Sequence, residues 1–252
     1  PYGHVSSVPR TVPTYGAVEE RFDALRPQLV ETIRAMGTHQ SEIERAIKDG
    51  VFPWEDAGMF PMLDAVVAYY MVKHHRPKRI VEIGSGASTH VLSCALAQNG
   101  AGSLTCIDPA PRRSILDTPA KIHQRVLAEG DVSLLDAFEP NDILFIDSSH
   151  IMLPGMDVDI QFNRMFPVLS PGTLVHVHDI FLPDGYPESW SDRLYSEQNA
   201  LIGWIMSGFF EVLYPGYYVA TRMVDDLKTQ LGPLMPEAPE RNAGSIWLRV
   251  AG

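Results

Sequence analysis

Two short apolar runs end in side chains that can move protons. Asp142-Ile143-Leu144-Phe145-Ile146 leads into Asp147, with His150 close behind, and the run from Thr173 to Val177 leads into His178 and Asp179. Ligands of open α/β sheets bind at the carboxyl ends of the strands, so these four side chains are expected to converge. Two kinds of chemistry suit them. In one, a histidine is a general base and an aspartate orients it. In the other, Asp147, His178 and Asp179 hold a divalent cation that lowers the pKa of a bound hydroxyl. Hard cations prefer oxygen, so His178 speaks against Mg²⁺ and for a transition metal. A purely structural reading also stands, in which His178 and Asp179 satisfy backbone groups at a strand end.

Upstream, Glu82-Ile83-Gly84-Ser85-Gly86 closes another apolar run and opens a helical stretch. Gly84 permits a sharp turn and Gly86 lets backbone come close to a ligand. Asp108 ends the next run, where a carboxylate can accept both hydroxyls of a ribose. The third glycine of a dinucleotide pattern is replaced by Thr89. Glu82 would repel a pyrophosphate but suits a cationic amino-acid group; the alternative is a strand-end acid bonded to nearby amides. Gly130-Asp131-Val132 can clamp an adenine, Asp131 facing its exocyclic amine, although Gly-Asp is also ordinary turn chemistry. Together these residues point to an adenosine-bearing ligand with a positive charge.

The elements that must position these residues follow from periodicity. Residues 1 to 16, rich in Pro, Ser, Tyr and Gly, read as an irregular arm. Helical patterns follow from Ala17, interrupted at Pro27, then from a Ser41/Glu44 capping box to Gly50, then from Met59 to His75, where Pro77 blocks continuation. From Arg79 onward, short Ile/Leu/Val runs alternate with helices. Strands are expected at 79–83, 103–108, 125–129, 142–147, 173–177, 210–221 and 245–250, and helices at 88–98, 156–168 and 197–207. Apolar runs without alternation suit strands covered on both faces, and the strand–helix rhythm gives an α/β, Rossmann-like doubly wound sheet. Its seven strands are mostly parallel. The last two have no helix expected between them and should form a terminal antiparallel hairpin joined by a Pro-containing loop, 225–244, that reads either as a lid or as a surface excursion. The division expected is an N-terminal arm and helical extension over 1–76 and a ligand-binding domain over 77–252.

The run Pro77 to Gly86 resembles motif I of class I S-adenosylmethionine (SAM) dependent methyltransferases, and Asn141 to His150 is similar to their fourth-strand segment. The stretch His176-Val177-His178-Asp179-Ile180-Phe181 with Tyr186-Pro187 resembles one branch of that superfamily. The resemblance runs from about Phe52 to Leu213. It implies SAM as cofactor, held by Glu82, Gly84, Ser85, Gly86, Asp108, Asp131 and Val132, and an enzyme that methylates a small-molecule acceptor, taken here at oxygen. Catechol-type O-methyltransferases resemble the metal reading, with acids at the ends of the same two strands, but have an acid where His178 stands. Tyr186 and Trp190 are candidates for an acceptor wall, and Glu197 for a residue reaching the site. An NAD-linked oxidoreductase is the alternative enzyme class, permitted by Asp108 and opposed by Glu82. A SAM-binding subunit without catalysis is the non-enzyme alternative.

The 252 residues, 45% hydrophobic, suffice for a large core, and the net charge of −11 argues against a nucleic-acid partner. The basic patches, Lys73 to Arg79 and Arg112-Arg113, read as solvated ends of elements. No stretch is apolar enough for a membrane span, and no signal pattern precedes the first helix. The start at Pro1 is expected to mean either an excised domain or a chain given without disordered leading residues. Cys94 and Cys106 fit no metal spacing and read as thiols, which suits a cytoplasmic setting. The N-terminal helices are expected either to cover the site or to join two copies of the chain.

Overall fold

The computed structural model describes residues 12–50, 60–112, 115–116, 118–234 and 243–252. A seven-stranded sheet runs in the order β3-β2-β1-β4-β5-β7-β6. Its strands are β1 (Arg79–Ile83), β2 (Ser103–Ile107), β3 (Lys121–His123), β4 (Ile143–Ile146), β5 (Leu174–Val177), β6 (Phe210–Pro215) and β7 (Ile246–Val250). β1 to β5 are parallel, whereas β7 runs antiparallel to both β5 and β6. The Rossmann-like sheet expected from the sequence is therefore present. Every residue of β4 and β5 is buried, as unalternating apolar runs require of strands covered on both faces. Each large apolar side chain fully buried there contributes roughly 1.5–3 kcal/mol.

The chain goes outward from β1 through β2 to β3, then returns to add β4 on the other side of β1. That reversal opens a crevice at the carboxyl ends of β1 and β4. Register makes it a site. Ile83 pairs with Ile146, and Ile146 with Val177. The ladder continues one step further, with Asp147 N donating to Ile83 O at 3.0 Å and His178 N to Ile146 O at 3.0 Å. Gly84, Asp147 and His178 thus leave the sheet at one level.

The helices are α1 (Gly16–Asp23), α2 (Arg26–Gly37), α3 (Gln40–Lys48), α4 (Met62–His75), α5 (Ala87–Asn99), α6 (Asp157–Ile160, prolonged by π and 3-10 turns to Val168), α7 (Glu197–Met206), α8 (Gly216–Arg222) and α9 (Val224–Leu231). α4 starts after Pro61; the expected start at Met59 lies outside the described residues, as do most of the N-terminal arm and residues 235–242 of the expected lid. α4 is buried on all sides from Leu63 to Val72 rather than along one stripe. A helix apolar all round belongs in a core, and its buried residues join those of α1, α2 and the sheet in one cluster. No helix of the described residues is long and apolar enough to cross a membrane.

Four expectations are corrected. The third strand lies at Lys121–His123, not 125–129, because Arg125 turns away to form an ion pair with Asp131. α3 begins at Gln40, which puts Ser41 inside the first turn, so Ser41 makes no cap; Gln40 bonds Glu44 instead at 2.8 Å. The strand from Phe210 stops at Pro215, and the supposed strand residues Tyr218 and Val219 are helical and fully buried. The link to β7 is not a plain loop: it contains α8 and α9, with Leu227 and Leu231 buried one turn apart.

Asp142 pins the amino end of this sheet. Its carboxylate, 1% exposed, accepts the N–H groups of Lys78 and Arg79 at 2.9 Å and of Glu139 at 3.0 Å, and pairs with Arg79 Nη1 at 3.2 Å. Asp142→Ala leaves these donors without their partner and is expected to lower the unfolding free energy by about 3 kcal/mol, read from urea denaturation.

Candidate active site

The turn after β1 is held from beneath. Gly84 has φ +96°, and a Cβ there would lie 1.9 Å from the Asp147 carbonyl oxygen, so glycine is required by the close approach of β4. Gly86 differs: its backbone is extended and a Cβ would meet nothing within 4 Å. The space beside it opens into one of the cavities that flank the turn. Glu82 is fully buried and lines neither neighbouring cavity. Its carboxylate accepts Ser88 Oγ at 2.6 Å, Thr89 Oγ1 at 2.8 Å and Cys106 Sγ at 3.1 Å. Thr89 Oγ1 also accepts the Gly86 N–H at 3.0 Å. Burial pushes Glu82 up to about 7 against these donors. Glu82 therefore supports the turn and does not face a cationic ligand group. Both cysteines are free thiols.

Two cavities flank this turn. One, of about 600 Å³, is bordered by Gly84, Ser85, Asp108, Pro109, Val126, Leu127, Met156 and Asp157, among others. Asp108 faces it with its carboxylate bonded to Ser85 Oγ and to Ala110 N, the latter at 2.7 Å. Asp131 and Val132 do not line it. Asp131 is committed to Arg125 in a two-pronged ion pair and accepts Ala128 N at 2.8 Å, so Val126 and Leu127 supply the apolar surface where an adenine was expected to meet Asp131. The second cavity, of about 660 Å³, lies beyond the turn between α4 and the segment after β5. The two share Ser85, Asp147 and Ser148.

The four predicted acid–base residues do come together, at the floor of the second cavity. His150 Nε2 lies 3.4 Å from both Asp147 Oδ1 and Asp179 Oδ2. His178 Nδ1 lies 3.5 Å from Asp147 Oδ1 and 3.4 Å from Asp179 Oδ1. Two further acids complete the cluster. Glu197, the first residue of α7, accepts from His150 Nδ1 at 2.8 Å, and Asp64 of α4 lies 3.4 Å from His178 Nε2. His150 and Asp179 have φ of +60° and +56°. That conformation costs a non-glycine residue on the order of 1 kcal/mol and is the kind of strain found at functional sites. Glu197 was a candidate from sequence; Asp64 was missed. Its signal was there, as a lone carboxylate inside the wholly apolar stretch Met62 to Met71. It accepts Gly244 N at 2.8 Å and Ser245 N at 3.2 Å, tying α4 to the entry of β7.

Burial opposes charge on both histidines, but the carboxylates outweigh it. Asp147 and Glu197 raise His150 well above the ordinary histidine range, and Asp147 with Asp64 raises His178 likewise. Burial also works against ionised Asp147, yet the two imidazoliums hold its pKa far below the carboxylate range. Burial raises Asp179 and Glu197 despite the same cations. His176, stacked 3.6 Å above the Phe145 ring and bonded to Ser245 Oγ at 2.8 Å, is pushed well below the usual range by burial and by His178. It is a neutral core residue. The metal reading of Asp147, His178 and Asp179 finds no support: among the described residues no group of three or more His, Cys, Asp or Glu side chains is arranged to hold a metal ion.

Residues 81–180 match the family Methyltransf_24, described as a methyltransferase domain. The match spans about two fifths of the chain and takes in β1 to β5 with the turn after β1. The matched segment carries Glu82 to Asp179 of the candidate residues, whereas Asp64, Tyr186, Trp190 and Glu197 lie outside it. No curated protein matches the chain. Among solved structures, the O-methyltransferase TomG from Streptomyces achromogenes, involved in tomaymycin synthesis and in complex with SAM, is 18% identical, with 74% of this chain and 78% of that chain covered and a TM-score of 0.43. The O-methyltransferase from Bacillus cereus in complex with SAH is 14% identical over 73% and 79%, with a TM-score of 0.44. The plantazolicin methyltransferase BpumL in complex with SAH is 15% identical over 94% and 100%, with a TM-score of 0.44.

Raised folded-state values make the two imidazoliums stabilising at and below the unfolded pKa of 6.5, a contribution lost as pH rises through the folded values. The urea midpoint is expected to fall as pH rises above about 6.5, and to fall less in His178→Gln. Parallel pH curves for the two proteins would contradict the charge assignment.

Proposed function

We propose that the chain is a SAM-dependent methyltransferase that methylates an oxygen of a small-molecule acceptor. One observation carries this reading: two cavities, of about 600 and 660 Å³, meet at Ser85, Asp147 and Ser148. One is fitted to a nucleoside, with Asp108 for the ribose hydroxyls and Val126, Leu127 and Met156 around the base. The other carries the acid–base cluster. The open space at Gly86 fits the amino-acid end of the cofactor. When bound, SAM supplies an electrophilic methyl group on a sulfonium. Asp147, ionised and common to both cavities, offers a negative charge where that sulfonium would lie.

The chain's own residues then have distinct tasks. The second cavity holds the acceptor hydroxyl near the junction, within the roughly 3 Å an in-line displacement needs. Asp179, 14% exposed and facing that cavity, accepts the hydroxyl proton; its raised pKa makes it a stronger base than an ordinary aspartate. His150 and His178 face both Asp147 and Asp179 and fix their positions. Glu197 orients His150 and Asp64 borders His178 from the far side. Phe60, Pro61 and Phe181 exclude water from the junction.

Asp179→Asn keeps the left-handed backbone that Asn tolerates and removes the base. Its kcat is expected to fall by about a hundredfold or more. Calorimetric affinity for SAM should change little. Asp108→Ala should do the reverse, weakening SAM binding by about tenfold through the lost charged hydrogen bonds. Wild-type turnover by Asp179→Asn would remove Asp179 from its role. Unchanged SAM affinity in Asp108→Ala would remove the nucleoside from that cavity.

A further inference from the structure

The wall of the second cavity opposite the turn is a short 3-10 helix, Glu188–Arg193, followed by Tyr195. Side chains three apart in a 3-10 turn eclipse one another, and here Trp190 and Arg193 do so: the guanidinium carbon sits 3.8 Å from the Trp190 ring centre and 5.5 Å from that of Tyr195. Stacking fixes the plane of the guanidinium, and beyond the bond from Nη1 to Tyr195 Oη its remaining N–H groups can donate. The aromatic surface continues inward. Trp190 packs edge-on against Phe181 at 5.0 Å and Tyr195 at 5.7 Å, and Tyr195 lies 4.7 Å from the His150 ring. Phe60 forms the facing wall, 5.3 Å from His178. The cavity is therefore a slot between rings, with the acid–base cluster at its floor and a fixed cation on its rim.

That cation lacks a carboxylate partner in a chain with 31 acidic residues against 20 basic ones, its Nη1 donating to the Tyr195 hydroxyl at 3.4 Å. Arg222 is paired with Asp184 and Glu19, Arg125 with Asp131 and Arg79 with Asp142. Among the described residues no carboxylate lies within 4.0 Å of the Arg193 guanidinium, although Asp147 and Asp179 line the same cavity. Arg112 lines the same cavity. Resting on the methyltransferase reading, we propose that the acceptor is a planar aromatic molecule bearing a carboxylate, its ring in the slot and its carboxylate on Arg193, which leaves its hydroxyl at Asp179. Arg193 is thus a specificity residue for the acceptor and takes no part in holding the cofactor.

Calorimetry on the protein loaded with S-adenosylhomocysteine tests this, with 4-hydroxybenzoate and 4-hydroxybenzamide as probes. The acid is expected to bind about tenfold more tightly than the amide, the ordinary worth of a hydrogen bond to a charged group. Arg193→Gln should erase the preference while leaving amide binding unchanged, and Arg193→Lys should restore part of it. Added salt should weaken the acid alone. Equal binding of the two probes, binding of neither, or a preference that survives in Arg193→Gln overturns the proposal. So does a loss of S-adenosylhomocysteine affinity in Arg193→Gln, which would assign the arginine to the cofactor. The loading step separates the two readings. If S-adenosylhomocysteine fails to bind the wild-type protein, the methyltransferase reading fails; if it binds and the acid shows no preference, only the acceptor class does.

Discussion

Asp147 stands between two imidazoles, and the site is organised around that sharing. A buried carboxylate costs several kcal/mol of solvation unless it is matched. Here the match comes from His150 on its own loop and His178 on the neighbouring strand, each 3.4–3.5 Å away. The histidines, in turn, would lose their protons to burial without carboxylates on their other sides. Glu197 and Asp64 supply these from α7 and α4, elements far apart in sequence. The cluster therefore couples α7, α4 and the central sheet through electrostatics as well as packing.

This coupling explains why α4 lies inside the molecule. A helix serving only as an outer cover would carry a polar face. From Leu63 to Val72 α4 is instead buried all round, with one charged residue, Asp64, which ties down Gly244 and Ser245 and borders His178. Phe60 and Pro61, just ahead of it, wall the second cavity. The segment after β5 closes the opposite side. Its Asp184 is clamped by both Nη atoms of Arg222 at 2.8 Å and by Thr14 Oγ1 at 2.6 Å, while Tyr15 N bonds Pro183 O at 2.8 Å. The cavity wall is thereby attached at once to the N-terminal helices and to α8.

Much of this was legible in the residues. Unalternating Ile/Leu/Val runs gave the buried parallel strands, and polar residues at their ends gave the cluster, because side chains leaving adjacent strands at one level must meet. Legibility failed where the deciding partner is remote. Tyr217 to Thr221 have strand-forming side chains, yet they become helical because Tyr218 and Val219 find burial against the N-terminal helices and the sheet. Asp131 looked like a base-facing acid, but an arginine six residues earlier claims it. Asp64 carried a local signal, an acid in an apolar helix, whose meaning depended on a histidine more than a hundred positions away.

The Ser88–Thr89–Cys106 basket around Glu82 has a consequence of its own. Its three donors, with Thr89 reaching up to the Gly86 amide, set the shape of the glycine turn while the chain folds. Whatever enters there meets a mould already cast, so little conformational freedom is left to be lost on arrival.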